Sequence, residues 1–323
     1  MNKRDTVLAL LALGAAPLAA LAQQARVHRV GVIFQGGAFS RAIDGLRDGL
    51  RELGLEEGKQ FVLHVRDTKG DLRSVEAAAS ALEREKVDLI FTVATSVTLA
   101  AQRATKIVPI VFYAGTDPVA VGLVESFRKP AGRLTGVYSH FTNLTAKRLE
   151  LLKAIAPGLR RVMVFYSPDN PSAQESVKIA REAALRLKVE LIERSVASVE
   201  DVRASMRALQ PADADAVLEV SDAMVISQAQ LVIDAAKANR LATMFQEEES
   251  VAKGGLASYG TSLYAIGKLA ATHVKRVLLG ADPGNLPVEQ VDKLQFVINL
   301  KTAKIVGLTI PRSLLLRADE VIR

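Results

Sequence analysis

The sequence predicts an α/β fold of two consecutive lobes, each a mostly parallel sheet covered by helices. Three observations lead there. Short β-rich apolar runs alternate with longer stretches of helical period from Val27 onward; the alternation comes in two successive series; and 323 residues exceed what one core usually holds.

In the first series, residues 30–34 read as a strand. Ala42, Ile43, Leu46, Leu50 and Leu53 then fall at spacings of three and four, one face of a helix that Gly54 ends. Strands follow at 61–65, 87–93, 108–112 and 134–137, with helices at 72–84 and 97–105. A helix over 142–156, stopped by Pro157-Gly158, opens the second series. Its strands are 161–165, 189–194, 216–220 and 242–245, and its helices 172–187, 199–209 and 223–238. A further strand at 255–259, a long helix at 263–279, the break Gly280-Ala281-Asp282-Pro283-Gly284, a strand at 294–298 and a helical tail complete the chain. These late elements are too few for a third domain. They are expected to return to the first two, so residues 23–141 with about 255–285 form one lobe and 142–254 with about 286–323 the other, joined by a hinge of crossing segments. No internal repeat or low-complexity segment interrupts the pattern.

The first 22 residues read as a leader. Lys3-Arg4 precedes an apolar run over 6–20 and then Ala20-Leu21-Ala22, a small-x-small site, so cleavage is expected after Ala22 and the mature chain in the periplasm. The run is shorter than the roughly 20 residues that span a bilayer. Asp5 and the lack of a second arginine favour Sec over twin-arginine export, with the route left open. The chain has no cysteine, which excludes disulfides, a cysteine-linked lipid, thiolate zinc sites and cysteine nucleophiles. His28, His64, His140 and His273 are scattered without metal-ligand spacing, so neither a metal nor a cofactor is expected. The net charge of +7 falls by one with the leader, and its basic residues are spread along the chain, which argues against nucleic acid as a partner. Gln35-Gly36-Gly37-Ala38-Phe39-Ser40 lacks both GxGxxG and GxxxxGK[ST] and reads as a flexible loop at a cleft mouth.

Three blocks are harder to read as generic. They are Arg41-Ala42-Ile43-Asp44-Gly45-Leu46-Arg47-Asp48-Gly49-Leu50-Arg51-Glu52-Leu53-Gly54; Val108-Pro109-Ile110-Val111-Phe112 with Thr116-Asp117-Pro118-Val119; and Ile298-Asn299-Leu300-Lys301-Thr302-Ala303-Lys304 with Gly307-Leu308-Thr309-Ile310-Pro311. In this order they resemble the ABC-transporter substrate-binding proteins of the tryptophan/tyrosine type, over essentially the whole mature chain. Pro130-Ala131-Gly132-Arg133 and Ile310-Pro311-Arg312-Ser313 depart from that family's pattern at turn positions. The resemblance implies the type I periplasmic-binding-protein architecture, two flavodoxin-like lobes. It also implies a small-molecule ligand, an amino acid with an aromatic or branched apolar side chain, and an inner-membrane ABC permease with its ATPase as partner. The protein is expected to act as a monomer.

Ligands of open α/β sheets sit beyond the carboxyl ends of the strands, where helix N-termini point. Thr95 and Ser96 follow the strand ending at Val93 and open a helix, suited to a carboxylate or to simple N-capping. Thr116 and Asp117 follow the strand ending at Phe112; Pro118 turns the aspartate out of helical conformation, to meet an ammonium or to cap an Asx turn. Asn170 and Asp222 hold the corresponding positions in the second lobe, and Glu247 is the one member of Glu247-Glu248-Glu249 able to face a cleft. Of five tyrosines and ten phenylalanines, eight end strands: Phe34, Phe112, Tyr113, Tyr138, Phe165, Tyr166, Phe245 and Tyr259. Tyr113 and Tyr166 are the expected ligand sandwich, since each leaves its strand into a loop. An enzyme is not expected, because no nucleophile and base can be assembled by spacing. A transcription regulator would need a helix-turn-helix where the leader stands. An exported sensor for a membrane receptor is the remaining alternative.

Overall fold

Two sheets organise the chain, and the computed structural model describes residues 26–323; the expected leader lies outside them. In chain order the first lobe supplies β1 (His28–Phe34), α1 (Ser40–Glu52), β2 (Phe61–Asp67), α2 (Leu72–Arg84), β3 (Leu89–Val93), α3 (Thr95–Ala104), β4 (Ile110–Ala114) and β5 (Leu134–Tyr138). The second supplies α4 (Thr145–Ile155), β6 (Arg161–Tyr166), α5 (Pro171–Leu187), β7 (Glu190–Ser195), α6 (Val199–Ala208), β8 (Ala216–Leu218), α7 (Ala223–Ser227), α8 (Ala229–Ala238), β9 (Ala242–Phe245), α9 (Glu248–Ala252) and β10 (Ala257–Thr261). Then come α10 (Leu263–Leu278), β11 (Glu289–Gln290), β12 (Leu294–Asn299), α11 (Leu300–Val306), α12 (Arg312–Leu315) and β13 (Glu320–Ile322).

The first sheet runs β11-β5-β4-β3-β1-β2, parallel throughout. The second runs β13-β12-β10-β9-β8-β6-β7, parallel except between β10 and β12. Every residue of β3, β4 and β5 is buried. That explains their continuous apolar runs: with helices on both faces, neither side of the strand meets water.

The returning segments differ from the expected division. β10 stays in the second sheet, pairing Ala257 with Met244 and Ser258 with Val297, whereas β11 joins β5 in the first through Glu289 and Val137. The chain therefore passes between sheets at 139–144, at Ser262 and at 291–293. An apolar strand carries no mark of which sheet it joins, and the helix after β10 belongs to the other lobe. Helix α10 docks backbone to backbone on α1, since a Cβ on Gly45 would lie 2.0 Å from the Tyr264 carbonyl oxygen and one on Gly267 1.9 Å from that of Ala42. The Tyr264 hydroxyl donates to Asp48 across the same seam at 2.8 Å. The helix expected over 223–238 breaks at Gln228 into α7 and α8, and the tail read as helical ends in the short strand β13.

Candidate functional site

The carboxyl ends of the two sheets face one another across a cavity lined by residues of both lobes. The first lobe lines it with Phe39 from the turn after β1, Ala94, Thr95 and Ser96 from the β3–α3 junction, and Tyr113 and Gly115 from the end of β4. The second contributes Asn170 and Ser172 at the start of α5, Ser221, Ala223 and Ile226 around α7, and Gln246 and Glu247 after β9. Phe141 enters from the first crossing. Nearly all of these residues follow a strand, as the topology requires.

Local chemistry fixes the polar wall. Ala94 has φ 99° and ψ 148°, a conformation that favours glycine, and this sharp turn starts α3 at the cavity. The Thr95 hydroxyl accepts from the Gly115 amide at 3.1 Å, tying the β3 and β4 loops together, and Ser96 sits beside it. Across the cavity, Asn170 caps α5 through the Ser172 amide at 3.1 Å. Two helix N-termini, each with its positive dipole end, thus border the space.

Three buried polar atoms on residues lining the cavity have no hydrogen-bond partner among the described residues: Ser172 Oγ, Gln246 Nε2 and Glu247 Oε2. The Gln246 carbonyl oxygen is fixed by the Ser221 hydroxyl at 2.8 Å, which leaves its NH₂ free to donate. Buried polar groups are nearly always hydrogen-bonded, so three such groups in one cavity suit a ligand that brings its own hydrogen-bond donors and acceptors. Burial pushes the Glu247 carboxyl well above the usual range, helped by the neighbouring Glu219 and opposed by Arg148. Burial likewise raises Glu219, whose Oε2 accepts from the Gln246 amide at 3.1 Å. Arg148, fully buried behind Phe141, is pulled down to about 10 by desolvation.

Thr95, Ser96, Tyr113, Asn170 and Glu247 of the expected residues therefore line the cavity; Thr116, Asp117, Tyr166 and Asp222 do not. Asp117 closes an Asx turn, accepting from the Val119 and Ala120 amides at 2.8 and 3.1 Å, because Pro118 directs its side chain back onto the chain. Thr116 is buried against Thr142, whose hydroxyl lies 3.4 Å from its own. Tyr166 points to the other side of β6, donating to Glu193 at 3.1 Å beside Arg181 and lining an outer groove. Asp222 caps α7, its buried carboxylate accepting from the Ser167, Met224 and Val225 amides at 2.7, 3.0 and 3.3 Å. Of the strand-end rings only Tyr113 lines the cavity, its hydroxyl 3.0 Å from that of Ser139; Phe34, Phe112, Phe165 and Phe245 are core.

The lobes are closed on one another. A Cβ on Gly37 would meet the Ser227 Cα at 2.9 Å, one on Gly70 would meet the Ser227 Oγ at 2.6 Å, and Arg41 of α1 approaches Glu249 of α9 at 3.7 Å.

The family model described as ABC transporter substrate binding protein matches residues 29–322. A tyrosine-binding protein of Clostridioides difficile (strain R20291) is 28% identical over 267 residues, 83% of this chain and 76% of that protein. An ABC domain from Streptococcus pneumonia solved in complex with L-Trp superposes with a TM-score of 0.82 at 26% identity, covering 92% of this chain and all of that one. A ligand-free, open substrate-binding protein with adhesive properties from Clostridium difficile gives 0.60 at 25% identity, covering 92% of this chain and 99% of that one. At nearly equal identity and coverage, the lobe arrangement here is closer to the complex than to the open form.

Proposed function

This chain belongs to the ABC transporter substrate-binding protein family, and from that premise we propose that its inter-lobe cavity takes a free aromatic L-amino acid. It is the solute-binding component of an importer, and the question is what it carries. The observation that carries the reading is the set of buried polar atoms without a partner among the described residues, on Ser172, Gln246 and Glu247, around one cavity. The ligand carboxylate takes the Gln246 amide, the Ser96 and Ser172 hydroxyls and the α3 and α5 N-termini. The ammonium takes Glu247, and a ring fits among Phe39, Tyr113 and Phe141. The tyrosine-binding relative and the L-Trp complex support the same ligand class.

Capture follows from contacts shared by both lobes. A ligand touching Ser96 and Tyr113 on one side and Ser172 and Glu247 on the other gains its full interaction only when the lobes meet, so it shifts the population toward the closed form. That form then docks on an ABC permease. The basic, apolar and small-residue order of residues 1–22 supports export through a cleaved leader into the periplasm. The chain acts as a monomeric carrier and performs no chemistry on its ligand.

A thermal-shift screen of the mature chain, freed of co-purified ligand by unfolding and refolding, tests the reading against amino acids, sugars and purines. Binding to the folded state raises the melting temperature by mass action. L-Tryptophan or L-tyrosine should give the largest shift, and a shift with sugars alone would overturn the proposal.

A further inference from the structure

Phe141 is the one cavity-lining residue that belongs to a passage between the sheets, and its ring is held from three elements. The Tyr113 ring at the end of β4 meets it edge-on, with centroids 6.3 Å apart and planes at 75°. In β10, Gly260 leaves it room, since a Cβ there would lie 2.6 Å from the Phe141 Cε1. From the first turn of α4, the Arg148 guanidinium lies over the ring, 5.2 Å from its centroid.

Arg148 is fully buried, yet among the described residues its hydrogen bonds go to main-chain carbonyls and to no acid. Its Nη1 donates to the Phe141 carbonyl at 2.8 Å and its Nε to that of Tyr259 at 2.7 Å. Phe141 stands in the first passage between lobes, and Tyr259 in β10 just before the second. One planar fork therefore fastens two of the three passages to each other and fixes both the backbone and the ring of Phe141. Desolvating a guanidinium is costly, so good geometry at both carbonyls is needed to keep it inside.

We propose that Arg148 is a positioning residue for ligand capture: it holds the Phe141 ring in the cavity wall and locks the passage that carries this ring to the end of β10. The ligand role rests on the reading above, in which an aromatic side chain lies against Phe141. The fastening does not, and it is measured without ligand.

Hydrogen exchange followed by mass spectrometry tests the fastening in the ligand-free protein. In Arg148→Met the amides of 139–144 and 259–262 should exchange about tenfold faster or more, both segments together, with β3 and β8 as protected as in the parent. Unchanged exchange in either segment would overturn the proposal. By calorimetry with L-tryptophan, Arg148→Met should bind at least about tenfold more weakly, and Phe141→Leu should lose as much or more. The double variant should bind within about twofold of Phe141→Leu alone. A merely structural role for Arg148 predicts losses that multiply, and that result, or parent-like binding by Arg148→Met, would overturn the proposal. Should Arg148→Met not fold, Arg148→Lys serves with the same outcomes, because it keeps the charge but not the two-carbonyl fork. A parent that binds no aromatic amino acid, with the exchange result as described, would remove the ligand reading alone.

Discussion

Gly37 of the first lobe and Ser227 of the second meet backbone to backbone, so that a Cβ on Gly37 would lie 2.9 Å from the Ser227 Cα. The contact exists only while the lobes are shut, and Gly37 also has φ +61°, where a side chain is strained. Gly37→Ala should therefore weaken ligand binding about tenfold or more and leave the saturated protein with the larger radius of gyration of an open form in small-angle scattering. A variant that closes normally would show that the lobes meet less tightly than this.

Asp222 satisfies three backbone amides from a fully buried position. Asp222→Ala leaves those donors without a partner, at a cost of about 3 kcal/mol from the lost cap and unpaired groups. Denaturant unfolding should show that loss, while the fraction that remains folded binds ligand within about threefold of the parent. A normal melt with abolished binding would return Asp222 to the ligand site.

Ala94 holds a backbone conformation that only glycine adopts without strain, of order 1–3 kcal/mol for other residues. Ala94→Gly should raise the melting temperature by a few degrees with the fold unchanged, and Ala94→Val should lower it. A lower melting temperature for the glycine variant would mean that the Ala94 methyl contributes more through packing than the turn loses through strain.

Burial pushes Glu249 up to about 7 from 4.5, with Glu248 and Glu247 adding to the effect and Arg41 opposing it. A carboxyl with a raised folded value keeps its proton where the unfolded chain has lost it. Its contribution is thus fully present below about pH 4.5 and is lost as pH climbs through 7. Glu249→Gln should match the parent at about pH 4 and exceed it by on the order of 3 kcal/mol at about pH 8, read from urea unfolding at both values. A variant less stable at pH 8 would show that the Arg41 pairing outweighs burial.

The strands and most helices were legible because burial on a sheet or helix face writes a period into the sequence: β3 and β4 are unbroken apolar runs, and Leu46 and Leu50 mark the inner face of α1. The strand-end rule then pointed to Ser96, Tyr113 and Glu247, which line the cavity. It failed at Asp117, where the Asp-Pro pair that turns a chain at a cleft edge also lets the carboxylate close its own turn. It failed at Tyr166 because adjacent strand residues point to opposite faces: Phe165 and Tyr166 pack in different cores. Phe39 and Phe141 lie in turns and crossings with no period, and an aromatic just after Gly36-Gly37 was the one available signal for the first. Lys147-Arg148 at the start of a helix looks like a solvated face, and only the tertiary fold shows Arg148 inside. Which sheet β10 joins was hidden for a similar reason: the helix that follows it docks on the first lobe through Gly45 and Gly267, while the strand itself pairs with β9 and β12 in the second.

The central claim is that one cavity reads both charges of an amino acid, and calorimetric titration of the ligand-stripped mature chain with L-tyrosine, tyramine and 3-(4-hydroxyphenyl)propionate tests it most directly. Tyramine keeps the ring and ammonium, and the propionate keeps the ring and carboxylate. The account predicts that L-tyrosine binds and that removing either charge weakens binding about a hundredfold or more, since each deletion leaves a buried partner unpaired. Equal affinity for L-tyrosine and either analogue would contradict it.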